Sequence, residues 1–325
     1  MRPDWWSAAG PLAERFPREA LTGAVDDWLH HRLDNEPAPL TQARPQYVAH
    51  HLARSLAAVA LLPELPQRGR LLELGSGLYL MSFLAARLRN LEIEHVQYWG
   101  RERGHHRSRL TDARSGRTRE IPFREFNAEE DAFPYADGRF DAILNCDTIE
   151  HMLCDPVRML AQCHRVLRPG GVMVVTTPNL LRLDNVVRLL QGHTILDKYV
   201  RQSASARHPR EYTPDELKQL LEWVGFDVLQ ADTLDVTRST VPRSARRLAA
   251  AGLWLFDRAR RFTGGRPGLR AGRGEQIVML ARRRPGPARQ QAPDFLYEAP
   301  GLGDALIAAL YAEGETPADP ERKAA

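Results

Sequence analysis

The hydrophobic positions of this chain alternate between two periods. Residues 70–74 (RLLEL) form a short apolar run, the pattern of a buried strand. After the turn Gly75-Ser76-Gly77, apolar residues recur at Leu80, Phe83, Leu84 and Leu88, one face of a helix. The switch then repeats. Residues 91–99 and 121–127 read as the second and third strands and 140–146 (FDAILNC) as the fourth. Val157, Leu160, Cys163 and Leu167 mark a helix, and Pro169-Gly170-Gly171 turns into a fifth strand at 172–176. Thr213, Pro214 and Glu216 compose a capping box with proline at the first helical position; Leu217, Leu220, Leu221 and Val224 line that helix, and Gly225 stops it. Residues 226–236 and 276–281 read as the last two strands. Such alternation predicts an α/β fold: a doubly wound, mostly parallel seven-stranded sheet with helices on both faces.

The flanks are less regular. A helix over 46–62 ends at the breaker LPELPQRG, and residues 1–43 read as an N-terminal helical extension whose Trp5, Trp6 and Trp28 need something to pack on. This predicts an extension at 1–43, a domain at 44–285 with a helical insertion at 242–265, and a tail at 286–325 with one short helix at 304–311. Within the insertion, 246–262 (RRLAAAGLWLFDRARRF) places Leu248, Leu255, Ala259 and Phe262 on one helical face. Trp254 lies beside it and arginines sit at both ends. Such a helix packs on its own domain or a partner, or touches a membrane surface.

Composition narrows the class. With 43% hydrophobic and 26% charged residues, the chain has the make-up of a soluble globular protein. No apolar run reaches spanning length and the N-terminus lacks a signal-type apolar region, so a cytoplasmic setting is expected. Cys146, Cys154 and Cys163 lack paired spacing, which predicts neither disulfides nor structural zinc. The net charge of +4 comes from basic clusters at 101–119, 243–273 and 282–289. None is interleaved with aromatic platforms, so solvated loops are expected rather than nucleic-acid contact. The pairs His50/His51 and His105/His106 lack acidic or cysteine partners at ligand spacing, which predicts surface histidines and no metal.

The chemistry concentrates where the first strand meets the glycine turn. A strand running into Gly-x-Gly and a helix puts backbone N–H groups at the carboxyl edge of the sheet, where doubly wound folds bind ligands. A dinucleotide fingerprint would need glycine where Leu80 stands, and no phosphate-binding Gly-Lys-Ser/Thr follows. An acidic residue, Glu73, instead precedes the turn; it would repel a pyrophosphate but favour a cationic ligand.

Three blocks, RLLELGSG, FDAILNCDTIEHM and RVLRPGGVMVVTTPN, followed by RHPREYTPDELKQLLEWVGFDV, resemble the class I, Rossmann-like S-adenosylmethionine-dependent methyltransferases, and in particular enzymes that modify glycans and natural products. The resemblance covers about residues 45 to 285. It implies S-adenosylmethionine as cofactor, with Glu73, Gly75, Ser76 and Gly77 as its loop and Gln97 at the ribose, Glu94 being the alternative if the register slips. Asn127 and Ala128 would lie at the adenine and Cys146 and Asp147 at the methionine end. Two positions depart from the family: Tyr79 replaces its third glycine, and Gln97 its ribose-gripping acid. Tyr79 could narrow the loop or close over the ligand.

The implied reaction is O-methylation of a sugar, glycan or secondary-metabolite hydroxyl. Alternatives are a non-catalytic cofactor-binding partner module and an RNA or protein methyltransferase. A hydroxyl acceptor needs a base. His208, between Arg207 and Arg210, is the first choice because neighbouring positive charge keeps an imidazole neutral; His151, beside Asp147 and Glu150, is the alternative.

Overall fold

The computed structural model describes residues 10–34, 36, 38–98, 101–153, 155–198, 207–236, 239, 241–262 and 272–297. Trp5, Trp6, Cys154 and the helix expected at 304–311 lie outside them. The chain divides into a compact unit, Met1–Gln290, and a second, Gln291–Ala325.

Seven strands stand where the hydrophobic pattern puts them: β2 (Arg70–Leu74), β3 (Glu92–Gln97), β5 (Thr118–Glu125), β6 (Phe140–Cys146), β7 (Leu167–Pro178), β8 (Phe226–Leu234) and β9 (Gln276–Arg283). Two more precede or interrupt them, β1 (His31–Leu33) and β4 (Gly104–Asp112). All nine join one sheet in the order β1-β4-β5-β3-β2-β6-β7-β9-β8. The strands β5, β3, β2, β6 and β7 run parallel. Strand β9 returns antiparallel between β7 and β8. The fold is therefore the expected α/β class, with the sheet extended at one edge.

That extension corrects one reading. Much of the basic segment 101–119 is not a loop but β4, paired antiparallel with β5 from Gly104↔Glu125 to Thr111↔Thr118. Its sequence, GHHRSRLTD, buries only Leu110, so no apolar alternation announces a strand. The arginines there face acids: Arg103 meets Asp131 at 2.7 Å, Arg107 meets Glu120 at 2.8 Å, and Arg114 meets Asp27 at 3.1 Å. The segment before residue 43 also joins the sheet, since β1 pairs with β4 from His31↔Asp112 through Leu33↔Leu110.

The helices are α1 (Arg18–His30), α2 (Ala38–Leu61), α3 (Leu80–Arg89), α4 (Pro156–Val166), α5 (Leu183–Leu190), α6 (Pro214–Val224) and α7 (Arg243–Phe262). Helices α1 and α2 pack with α3 over one face of the sheet; Leu21, Val25, Trp28, Val48, Leu52, Leu56 and Leu84 join Leu71, Leu144 and Val174 in one apolar core. The α6 start is as the sequence predicts: Thr213 Oγ1 accepts from the Glu216 N–H at 3.2 Å, and Glu216 Oε2 accepts from the Thr213 N–H at 3.4 Å. Helix α7 forms within the expected insertion. The side chains of Ala259 and Phe262, assigned to its apolar face, lie outside the described ones.

Tyr79 shows why glycine is usual at its position. It sits at the cap of α3 with φ 63°, a left-handed conformation that strains a side-chain-bearing residue by about 1–2 kcal/mol. It is fully buried, edge-on to His95 at 5.1 Å, and its hydroxyl lies 2.8 Å from Ser108 Oγ in β4. Packing and a tether to the edge strand thus offset the backbone strain. Tyr79→Phe should lower unfolding stability by about 1 kcal/mol in urea titration; an unchanged midpoint would show that the hydroxyl tether contributes nothing.

Candidate cofactor and acceptor site

Strand β2 delivers the chain to the carboxyl edge, where it turns through Gly75 (φ 70°) and Gly77 (φ 47°). The loop is held from two sides. The N–H groups of Gly75 and Ser76 both donate to the Val96 carbonyl of β3, at 3.0 and 3.2 Å. From outside, the buried Trp28 indole donates to the Leu78 carbonyl at 2.7 Å. A Cβ on Gly75 would come within 2.8 Å of Thr148 Oγ1, so the loop and the β6 exit meet too closely for any side chain.

Gln97 ends β3 beside this loop. It is buried, its Nε2 donates to the Gly77 carbonyl at 3.4 Å, and its Oε1 has no hydrogen-bond partner. A buried acceptor left without a donor is costly, and a ribose hydroxyl would supply one. Glu94, the alternative, sits mid-strand and pairs with Arg139. The register partner of Gln97 is Glu125, a buried carboxylate that the sequence reading did not single out. Asn127 closes a local turn, its Oδ1 accepting from the Glu129 N–H at 3.0 Å, with Ala128 half-buried beside it. These features fit S-adenosylmethionine: a glycine cradle at a strand end and an unsatisfied acceptor one strand over.

Glu73 behaves differently from expectation. Its carboxylate accepts from Ser82 Oγ, which also lies 2.9 Å from His95 Nε2. Burial holds its pKa up to about 8, so at neutral pH the residue is mainly the uncharged acid. It offers a ligand no standing negative charge in this state. His95, the far end of the chain of bonds, is pushed by burial to about 4 and stays neutral.

At the end of β6, Cys146 is buried and burial pushes its thiol pKa up. Asp147 takes φ 50° and is held from both sides, by Arg54 of α2 at 3.0 Å and by the Gln276 side-chain amide of β9. Burial raises the Asp147 pKa while Arg54 opposes the rise. A short 3-10 turn, Ile149–His151, then carries Glu150 and His151. Glu150 is fully buried, accepts from Thr177 Oγ1 at 2.9 Å, and is raised well above the usual carboxylate range by burial and by Asp147. His151 Nδ1 lies 3.0 Å from the Arg207 carbonyl and must donate to it, which assigns the lone pair of a neutral ring to Nε2.

His208, fifty-seven positions away in sequence, packs edge-on against His151 with ring centroids 4.8 Å apart. Potential ligand atoms of Glu150, His151 and His208 lie within 4.8 Å of one another. Two imidazoles and a carboxyl at that separation could hold a divalent cation. The expectation of no metal, drawn from local spacing, did not consider a histidine arriving from the loop before α6. The reason for preferring His208 as base also needs correction: its Nδ1 faces Asp197 at 3.5 Å and Glu211 at 3.7 Å, while Arg210 pairs with Glu216.

Helix α2 contributes what the sequence reading missed. Tyr47, His51 and Arg54 form a polar stripe at helical spacing on a helix whose other face is Val48, Leu52, Leu56 and Val59. His51 is not a surface histidine: its ring lies 4.1 Å from that of Tyr47, and burial lowers its pKa to about 3. The signal was a polar i, i+4, i+7 pattern opposite an apolar one.

Glu73 makes the pH dependence testable. The folded protein keeps a proton up to about pH 8 that the unfolded chain releases near 4.5. Stability from this residue therefore falls as pH rises through that window, and Glu73→Gln should flatten the urea-midpoint profile between pH 5 and 8. An identical slope in both proteins would show that Glu73 is ionised in the fold.

Residues 43–231, more than half of the chain, match the family described as Methyltransferase domain. A probable S-adenosylmethionine-dependent methyltransferase of Mycolicibacterium smegmatis is 38% identical over 103 residues, 32% of this chain; the match spans only 34% of that relative's length. A ubiquinone biosynthesis O-methyltransferase of Cereibacter sphaeroides is 32% identical over 195 residues, covering 58% of this chain and 74% of the relative. Among solved structures, a SAM-dependent methyltransferase from Archaeoglobus fulgidus aligns with a TM-score of 0.47 at 16% identity, over 76% of this chain and 100% of the other. The chain belongs to the methyltransferase-domain family, among the class I S-adenosylmethionine-dependent enzymes.

Proposed function

We propose that this enzyme transfers a methyl group from S-adenosylmethionine to a hydroxyl oxygen of a small-molecule acceptor, a sugar, glycan or secondary metabolite. The observation that carries the reading is His151, set one turn beyond β6 with Nδ1 committed to a backbone carbonyl and its basic nitrogen therefore Nε2. The ubiquinone biosynthesis O-methyltransferases among the relatives support transfer to oxygen.

S-adenosylmethionine supplies an electrophilic methyl group when bound. Gly75, Ser76 and Gly77 would cradle it, Gln97 Oε1 would accept from a ribose hydroxyl, and Asn127 with Ala128 would border the adenine. Cys146 and Asp147 would border the methionine end, and Arg54 and Gln276 fix the Asp147 carboxylate there. An alcohol proton is too weakly acidic to leave unaided, so the acceptor must meet a base in line with the methyl group. We assign that role to His151 and a positioning role to His208. His208 is held by Asp197 and Glu211 and stacks edge-on against the base. A second reading, favoured by the 4.8 Å grouping with Glu150, is that the same side chains hold a divalent cation that orients the acceptor.

Gly75→Val and Gly77→Val should abolish S-adenosylhomocysteine binding in calorimetry, and Gln97→Leu should weaken it about tenfold, the value of one buried hydrogen bond. Unchanged affinity in all three would remove the cofactor from this loop.

Turnover on hydroxylated acceptors tests the chemistry. His151→Ala should lose about 100-fold or more with cofactor affinity intact, and His208→Ala should lose less. Near-normal rates in both single variants and the double variant would leave no base here. Loss of activity in EDTA, restored by Mn2+, would select the cation reading. Absence of turnover on every acceptor, with cofactor still bound, would favour a non-catalytic module.

A further inference from the structure

Ten large apolar side chains are exposed among the described residues, and six of them belong to helices α5 and α7 and the segment that follows α5: Leu189, Leu190, Leu196, Leu248, Trp254 and Leu255. Scattered exposed leucines need no explanation, but a concentration on two packed helices does. Helices α5 and α7 are joined at their N-terminal ends, where Asp184 meets Arg246 at 3.2 Å and accepts from Ser239 Oγ at 2.6 Å. The face that α7 turns inward is marked by the buried Ala249 and the half-buried Leu253. Its outward face carries Leu248, 77% exposed, and Leu255, 59% exposed, two helical turns apart with Gly252 between.

This orientation is the reverse of an ordinary surface helix, which turns its larger apolar residues inward. Charge follows the same geometry. The helix has six arginines against one aspartate. Exposed Arg243, Arg247 and Arg258 flank the leucine stripe on the side of Trp254, with the Arg258 guanidinium 5.8 Å from the centre of the Trp254 ring. Leu190, 77% exposed, and Leu196, 73% exposed, extend the apolar area, with the exposed cations Arg188 and Lys198 nearby in sequence.

We propose that this face of α5 and α7 docks on the surface of an anionic lipid bilayer. The leucines and Trp254 would enter the boundary between headgroups and acyl chains, and the arginines would meet lipid phosphates. No helix among the described residues is long and apolar enough to cross a membrane, so the contact is peripheral. The surface adjoins the acceptor side: Asn185 of α5 lies 3.4 Å from Glu211, which in turn faces His208. Docking would therefore set the histidine pair beside the lipid surface. The binding proposal itself does not depend on which acceptor is methylated.

Flotation of the full chain with phosphatidylcholine vesicles, with and without phosphatidylglycerol, tests the proposal. Binding should be about fivefold or more greater on anionic vesicles and should fall with added salt. The double variant Leu248→Ser/Leu255→Ser should lose this binding, and so should Arg247→Glu/Arg258→Glu, both with an unchanged unfolding midpoint. Absence of wild-type binding at low salt would overturn the proposal, as would binding that survives both double variants. Light scattering showing a dimer that Leu248→Ser/Leu255→Ser dissociates would also overturn it, assigning the face to a second copy.

Discussion

Two parallel strands that lie side by side must be joined by a chain that crosses from one end of the sheet to the other, and a helix usually provides the crossing. Between β3 and β5 no helix does. The chain instead descends as β4 on the far side of β5 and returns, which leaves the sheet face over Ile93, His95 and Ile121 without its own covering helix. The N-terminal segment fills the role. Helix α1 borders this region, and a groove of about 430 Å3 remains between its Ala24 and Asp27, His31 of β1, Phe83 and Arg87 of α3, and the strands. Strand β1 then covers the edge that β4 would expose. The turn into α2 is secured by Arg44, buried with Glu36 and donating at 2.9 Å to the Trp28 carbonyl. Such a buried pair suits specifying one geometry better than adding stability.

This covering has a consequence for chemistry. Because α1 must reach over α3, Trp28 arrives at the glycine turn and its indole meets the Leu78 carbonyl. Because α2 follows directly, its Arg54 reaches the end of β6 and pairs with Asp147. The cofactor loop is thus shaped both by the sheet behind it and by a segment that precedes the domain in sequence. An extension that could be removed without effect on the loop would not make these contacts.

What was legible in the sequence follows from what carries a periodic signal. The central strands of the sheet alternate or cluster apolar residues because they are buried on at least one face, and Gly75, Gly77 and the α6 capping box are local devices readable from a few residues. Strand β4 was illegible because an edge strand satisfied by backbone pairing and arginine–carboxylate contacts needs no apolar face. Gln97 stands at the end of β3, the strand end at which the resemblance set it. The neutral state of Glu73 was not readable, because it comes from burial that only the packed fold produces, with the Ser82 hydroxyl working against it. Nor was the grouping of His151 with His208, which two separate loops bring together.

The buried acids explain how a site of this kind can be polar without being strongly charged. Glu73 and Glu150 are both pushed toward the neutral form by burial, and Glu150 is pushed further by Asp147. Asp147 has a cation beside it in Arg54. Two like charges at Asp147 and Glu150 would repel in a medium that screens poorly, so placing one guanidinium beside Asp147 favours ionisation there and protonation at Glu150. Burial thus leaves Glu150 mainly in its neutral form beside Thr177, and leaves Asp147 as the acid that a cation attends.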